Sequence, residues 1–345
     1  MKKILLNIGF DYFTKGRTGV GAYQSNIIWG LKCDYDIIVP PNCDLNLPVN
    51  AHPIILDKKK KFFMRFFKKF FSIEKFFHGY DIAITGGFCF KHSKKTKQYA
   101  IVHDLMSFTE PQNYNFKQRF YHRIAGTAYK EADKLIAVSQ STKQAIHDVF
   151  KIAYDKIVVI PNITNFYINN IPTDYFLFIG DMRKTKNLKF LIYGFAEYKR
   201  IYKGIEKLII AGNKKYEYEH LLQMAKDFNL LEDIIFPGYV TEEQKKELYS
   251  KAKGFVFLSD NEGFGIPLLE AAVNKIPVLC SDIPVFHEVL NEDYAVYVDN
   301  KEPAKIAKGF SCLNSKKIED TNALVLKNKY SKKVFDNLIN GLVSE

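Results

Sequence analysis

The chain has 345 residues, 47% hydrophobic and 26% charged, a balance found in soluble globular proteins and a length that accommodates two domains with separate cores. Lys and Arg number 50 against 38 Asp and Glu, a net charge of +12 with His neutral, so the chain calls for an anionic partner: nucleic acid, an anionic membrane surface or a phosphate-bearing substrate. No apolar run reaches the ~18 residues of a membrane-spanning helix. Five scattered cysteines (Cys33, Cys43, Cys89, Cys280 and Cys312), in no CxxC pair, exclude a disulfide framework and read as reduced thiols of a cytoplasmic protein.

Lys2-Lys3 followed by Ile4–Leu6 briefly imitates a signal peptide, but Asn7, Gly9 and Asp11 break the apolar run, and the spacing predicts a first strand over Ile4–Ile8. Gly16-Arg17-Thr18-Gly19-Val20-Gly21 follows as a loop before a helix beginning near Ala22. It is not GxGxxG, and no acidic residue ends the second strand at the distance a dinucleotide site needs. Asp34-Tyr35-Asp36 matches a DxD metal pattern but sits ahead of the second strand, at the wrong end of a sheet for a ligand; it reads as a solvated turn and no metal is expected. Further strands are predicted at Asp36–Val39, Ile54–Leu56, Ile82–Thr85, Tyr99–Val102, Leu135–Val138 and Ile157–Ile160, with helices over Lys117–Glu131 and Ser141–Phe150.

Lys58–Phe77 is unusual. Phe recurs at steps of three and four, with Lys or Arg on the opposite helical face. Such a basic amphipathic helix lies in the plane of an anionic membrane, or its Phe face is core of the first domain; both readings stay open.

Pro161-Asn162 closes the first series, and polar Thr164–Thr173 reads as a linker. The alternation then restarts with strands at Tyr175–Ile179, Lys207–Ala211, Ile234–Phe236, Gly254–Leu258, Pro277–Cys280 and Ala295–Val298. Helices fit Asn187–Tyr202, Tyr216–Phe228, Glu242–Lys251, Ile266–Asn274 and the tail Ser331–Val343. Strand–helix alternation of this kind implies an α/β protein of two doubly wound Rossmann-like domains, 1–163 and 172–327, with ligands expected in a central cleft at the carboxyl ends of both sheets.

The most informative segment is Asn261-Glu262-Gly263-Phe264-Gly265-Ile266-Pro267-Leu268-Leu269-Glu270. It follows a strand and opens a helix. Its glycines allow a sharp turn and close approach of backbone to a ligand, and the free N–H groups and helix dipole favour a phosphate. Glu262 and Glu270 flank that place and would accept hydrogen bonds from sugar hydroxyls. Taken alone, the segment is also compatible with a plain joint carrying two surface glutamates.

Glu262-x7-Glu270 with the intervening Gly-Phe-Gly-Ile-Pro resembles the signature of the family-4 retaining glycosyltransferases, which have the GT-B fold. Phe236-Pro237-Gly238-Tyr239-Val240, Leu248-Tyr249-x2-Ala252, Ser281-Asp282-Ile283-Pro284, Thr18-Gly19-Val20-Gly21, Val102-His103-Asp104, Val138-Ser139, Ile160-Pro161-Asn162 and Gly180-x5-Lys186-Asn187 extend the resemblance in family order. It implies a metal-independent hexosyltransferase with no cofactor, a UDP-, GDP- or dTDP-sugar as donor, and a glycan or lipid-linked acceptor in cell-surface polysaccharide synthesis. It also implies a C-terminal tail, 328–345, that returns to the first domain.

Carried over residue by residue, the resemblance implies that Glu262 contacts the donor sugar and Glu270 holds the ribose hydroxyls. Backbone amides of Phe264, Gly265 and Ile266 meet sugar and diphosphate. Lys186 neutralises the leaving diphosphate, with Arg183 replacing the usual Arg directly before it, where this chain has Thr185. Val240 and Glu242 fall where the nucleobase is recognised, Gly19 and Gly21 close over the donor phosphate, and His103 lines the reaction centre. Fixed cations and amide dipoles stabilise the charge that develops when a sugar–phosphate bond breaks, so the arrangement is chemically coherent. The expected place of work is the cytoplasm, peripheral at the inner membrane face. The rival readings are a GT-B phosphorylase or nucleotide-sugar epimerase and, from another class, a basic nucleic-acid-binding protein, although no nucleic-acid module is recognisable and none is expected as partner.

Overall fold

A computed structural model describes residues 2–8, 19–40, 46–55, 79–86, 95–114, 116, 119, 123, 126 and 129–345. The basic Phe-rich stretch 58–77, residues 16–18 of the glycine loop and most of the helix expected over 117–131 lie outside them. The chain divides into two compact units, Met1–Ile163 with Tyr330–Glu345, and Thr164–Lys329.

In the first unit β1 (Ile4–Asn7), β2 (Tyr35–Val39), β3 (Ala51–Ile55), β4 (Ile82–Thr85), β5 (Lys97–Val102), β6 (Lys134–Ala137) and β7 (Ile157–Val159) form a parallel sheet ordered β3-β2-β1-β4-β5-β6-β7. The strands are apolar on consecutive residues because helices cover both faces of such a sheet; Ile82–Thr85 is buried at every position. The third strand starts earlier than its apolar run, at Ala51. It includes the exposed Pro53, which an edge strand tolerates because, among the described residues, no further strand pairs with it. The described helices are α1 (Gly19–Gly30), α2 (Met106–Thr109) and α3 (Gln140–Phe150). Ser139 caps α3 by accepting from Thr142 N at 2.9 Å.

The second unit continues with β8 (Tyr175–Ile179), α4 (Leu188–Tyr202), β9 (Lys207–Ala211), α5 (Tyr218–Asp227), β10 (Ile234–Gly238), α6 (Glu242–Lys251), β11 (Gly254–Phe257), α7 (Ile266–Val273), β12 (Val278–Ser281), α8 (Pro284–Val289), β13 (Ala295–Val298), α9 (Pro303–Leu313) and α10 (Asp320–Lys329). Its parallel sheet runs β10-β9-β8-β11-β12-β13. Chain order reverses between β8 and β11, and in open parallel sheets the carboxyl ends of strands at such a switch point are where ligands bind. Phe176, Phe195, Tyr198 and Phe310 fill the core below with ring-centroid spacings of 4.8–6.2 Å, each fully buried ring worth about 1.5–3 kcal/mol.

The last helix, α11 (Lys332–Ser344), belongs to the first unit. Phe335 and Ile339 are fully buried, and Asn340 Nδ2 donates to Gly30 O at 2.8 Å while its Oδ1 accepts from Lys32 N at 2.9 Å. A Cβ at Gly30 would stand 2.6 Å from Asp336 Oδ1, so a larger residue there would displace that carboxylate.

The polar segment Thr164–Thr173 is not a free connector. It lies with the second unit as an extended strap. Ile168 N donates to Asn274 Oδ1 at 2.8 Å and Asn274 Nδ2 to Phe166 O at 2.7 Å, Ile171 N and Thr173 N donate to Ser250 O and Lys251 O at 2.7 and 2.8 Å, and the strap's Asn170 Nδ2 donates to Tyr249 O at 2.9 Å.

Candidate functional site

The loop from β11 to α7 is built around Gly265. Its φ of 96° lies in the left-handed region, and a Cβ there would stand 2.1 Å from Leu268 Cδ2. Pro267 in the first turn of α7 needs no donor where the helix has free N–H groups to spare. Phe264 is 3% exposed and anchors the loop in the core, so only its backbone is offered to a ligand. The positive end of α7 is therefore presented beside Glu262, with no acidic residue in the first turn to quench it.

Glu262 is held from two sides. Ser259 Oγ donates to Glu262 Oε1 at 2.8 Å, and Lys186 Nζ forms an ion pair with the same oxygen. Lys186 reaches it from the loop after β8, where Arg183, Lys184 and Thr185 lead into a tight turn ending at Asn187 (φ 54°). Buried Asn187 donates to Leu258 O at 2.9 Å and Asp260 Oδ1 at 2.7 Å, while Asp260 N donates to Thr185 O at 2.9 Å. Asn300 Nδ2 and Lys301 Nζ close on Asp260 Oδ1 at 3.3 and 3.1 Å. The two switch-point loops are thus laced to each other, and Lys186 and Glu262 are fixed as a pair. Arg183 stands apart from this pair: it is half-exposed, 3.4 Å from Asp181 and with its guanidinium 5.2 Å from the Tyr216 ring centroid.

Glu270, on the second turn of α7, is 6% exposed. Its Oε1 meets Lys245 Nζ at 2.7 Å and its Oε2 accepts from Tyr249 Oη at 3.2 Å. Lys245 and Tyr249 are four residues apart on α6 and share one face. Burial pushes the Glu270 carboxyl above the usual carboxylate range, against the pull of Lys245 and Tyr249. Glu242, exposed at the start of α6, adds a like charge in the same direction; Thr241 caps that helix reciprocally with Gln244. Val240, half-buried, ends the connection from β10.

Gly19, Gly21 and His103 lie in the first unit. Gly19 opens α1 and Gly21 is buried in its first turn. Two residues on, Tyr23 donates to Ile160 O at 2.9 Å and stands edge-on to His103, centroids 5.3 Å apart. His103 follows β5 at its carboxyl end. Its Nε2 is buried and has no hydrogen-bond partner among the described residues, and burial pushes the imidazole down to about 4, so it is neutral at pH 7. Asp34 and Asp36 sit at the amino end of β2, where Asp36 accepts a hydrogen bond from Tyr80. Among the described residues no cluster of His, Cys, Asp or Glu has the makings of a metal site.

Ser259, Asn187, Asp260, Asn300, Lys245 and Tyr249 were not singled out from the sequence. Asn187 and Tyr249 do stand inside motifs quoted for the resemblance. Lys245, in the polar helix Glu-Glu-Gln-Lys-Lys-Glu, carries no signal of its own.

Two parallel α/β units, each with its switch point, define the GT-B class. Solved structures share the fold: the lipopolysaccharide outer core galactosyltransferase WaaB in its apo form (16% identity, 100% of this chain and 99% of that one, TM-score 0.72) and Anabaena HepE in complex with UDP and glucose (16%, 100% of both chains, TM-score 0.72). In sequence, residues 34–165 match the model of glycosyltransferase family 4 and residues 163–329 that of glycosyl transferases group 1. The chain belongs to the family-4 glycosyltransferases of GT-B fold. It is 35% identical over 206 residues to the O-antigen chain mannosyltransferase RfbU of Salmonella typhimurium, covering 59% of this chain and 56% of that protein. It is 28% identical over 236 residues to the serotype-specific mannosyltransferase WbdA of Escherichia coli, covering 60% of this chain and 28% of that one. The chain therefore spans about half, or less, of the length of these relatives.

Proposed function

We propose that the chain is a retaining, metal-independent hexosyltransferase that moves a sugar from a nucleotide-sugar donor to a glycan or lipid-linked acceptor in cell-surface polysaccharide synthesis. The observation that carries this is the Lys186–Glu262 pair at the positive end of α7, with Glu270 one helix turn beyond. The O-antigen mannosyltransferases among its relatives support the pathway class and make a mannosyl donor the first to try.

In this reading the leaving diphosphate lies against the amides of Gly265 and Ile266, and Lys186 supplies the fixed cation that a metal supplies elsewhere. Arg183, exposed and only 3.4 Å from Asp181, adds a second cation. Glu262 accepts hydroxyls of the transferred sugar, Glu270 accepts the ribose diol, and Val240 and Glu242 border the base. Gly19 and Gly21, at the amino end of α1, are phosphate contacts in this reading, and His103 contributes a neutral imidazole that can donate to or accept from a sugar hydroxyl. The chain works in the cytoplasm at the inner membrane face; among the described residues no helix is long and apolar enough to cross a membrane.

Thermal-shift titration with GDP-, UDP- and dTDP-sugars identifies the donor, because a ligand that binds only the folded state raises its stability. Transfer assayed with that donor in EDTA, with the anomeric configuration of the product read by NMR, then checks the mechanism. Inversion, or activity lost in EDTA and restored by Mn²⁺ or Mg²⁺, refutes it. Transfer only to inorganic phosphate would show a phosphorylase.

A further inference from the structure

We infer that Lys245 and Tyr249 are positioning residues that hold Glu270 ionised and aimed, leaving one lone pair on each carboxylate oxygen for a vicinal diol. This rests on the reading of Glu270 as the ribose-binding carboxylate.

The geometry assigns one protein donor to each oxygen: Lys245 Nζ to Oε1 at 2.7 Å and Tyr249 Oη to Oε2 at 3.2 Å. An ionised carboxylate offers about four lone-pair directions, so each oxygen retains acceptor capacity. A diol needs that pattern, two neighbouring acceptors in a fixed plane. Both donors are themselves locked. Tyr249 is fully buried with its ring stacked on Phe255, and its single hydroxyl proton is shared between Glu270 Oε2 at 3.2 Å and Pro267 O at 3.1 Å. The Lys245 ammonium lies 4.8 Å from the centroid of Phe166 in the strap, which is tied to α7 through Asn274, whose Nδ2 donates to Glu270 O at 2.7 Å.

Charge makes Lys245 necessary. A carboxylate this deeply buried favours its neutral form, and Glu242 of α6 repels the charged one. β11 and β12 offer no ionisable side chain except Cys280, whose thiol burial keeps protonated. On the side of α10, Asp320 is paired with Lys275 at 2.9 Å and Lys327 lies over the Tyr167 ring. Lys245 is thus the ammonium in contact with Glu270. Without it the carboxyl takes up a proton nearer neutrality, one acceptor becomes a donor, and the diol loses half of its site.

The test is calorimetric titration of the full chain with UDP and GDP, and with the 2′-deoxy form of whichever binds, from pH 5.5 to 8.5. Wild type is compared with Lys245→Met, Lys245→Gln, Lys245→Arg, Tyr249→Phe and Glu270→Gln. Lys245→Met and Lys245→Gln are expected to bind about tenfold or more weaker at pH 6.5, the loss of a charged hydrogen bond. Affinity should return as pH rises, with the midpoint displaced upward from that of wild type. Discrimination against the 2′-deoxy nucleotide should shrink, and Lys245→Arg should restore both. Tyr249→Phe keeps the ring packing and should reduce the same discrimination without moving the midpoint as far. Weak, pH-independent binding by Glu270→Gln, with Lys245→Met and Lys245→Gln equal to wild type in affinity and profile, overturns the inference and leaves the ribose reading standing. Should Glu270→Gln bind as wild type does, or neither nucleotide bind wild type, the ribose reading itself falls.

Discussion

Lys186 Nζ and Ser259 Oγ converge on one oxygen of Glu262, so a lysine and a glutamate 76 residues apart in the chain neutralise each other at the mouth of α7. A ligand bringing both a diphosphate and sugar hydroxyls satisfies each member separately, the anion on Lys186 and the hydroxyls on Glu262. Lys186→Ala is expected to lower kcat by about 10²–10³-fold with a smaller change in KM, since the cation matters most as charge develops on the leaving group. Steady-state kinetics with the identified donor checks this. A KM effect with kcat intact would make Lys186 a binding residue only.

Gly265 is the backbone position on which the loop depends. Gly265→Ala places a Cβ 2.1 Å from Leu268 Cδ2 on a residue with φ 96°, and should destabilise the protein by roughly 1–3 kcal/mol. Urea denaturation measures it, and a nucleotide titration of the folded variant should show weakened binding, because the amides of Gly265 and Ile266 move with the turn. Unchanged stability would mean that the left-handed geometry is dispensable.

The two strand–helix series and the Gly263–Glu270 segment were legible in the sequence, because period, glycine placement and helix start are local signals; the order of strands within each sheet was not. The partners of Glu262 and Glu270 were not. Lys245 reads as one more solvated lysine in a polar helix, and its meeting with Glu270, 25 residues away, depends on how α6 and α7 pack. The strap is hidden for a related reason: a polar segment looks like a linker, and its docking rests on Asn274 accepting from Ile168 N and Asn170 donating to Tyr249 O, both across long stretches of chain. Arg183, which the resemblance sets beside Lys186, lies across a tight turn from it and 3.4 Å from Asp181, a placement that depends on the turn and not on the motif.

His103 gives the fold an acid sensitivity with a defined sign. Its folded pKa of about 4 lies below the ordinary 6.5, so between these values the unfolded chain binds a proton that the folded one refuses. Stability from this site is complete above pH 6.5 and is lost progressively as pH falls toward 4. Melting temperatures of wild type and His103→Gln, compared from pH 7 to pH 4.5, should converge as the pH drops. A gap that stays constant would show that His103 titrates normally.

The basic, Phe-rich stretch 58–77 is outside the described residues, and its two readings differ in what they expect of a membrane. If its cations meet the inner leaflet, each contributes about 1 kcal/mol through the anionic surface potential. Changing Lys60, Lys61, Lys68 and Lys69 to Gln should then release the chain from phosphatidylserine-containing liposomes in a flotation assay. Wild-type binding should fade as salt rises past the range where the Debye length shrinks below ~10 Å. Folding should be nearly untouched, because solvated lysines contribute little to stability. A wild type that ignores these liposomes, or a variant that binds them equally, assigns the Phe face to the core and removes the reason to expect a membrane-held acceptor. The net charge of +12 would then be answered by phosphate-bearing donors alone, and a salt-sensitive gel shift with nucleic acid becomes the next measurement.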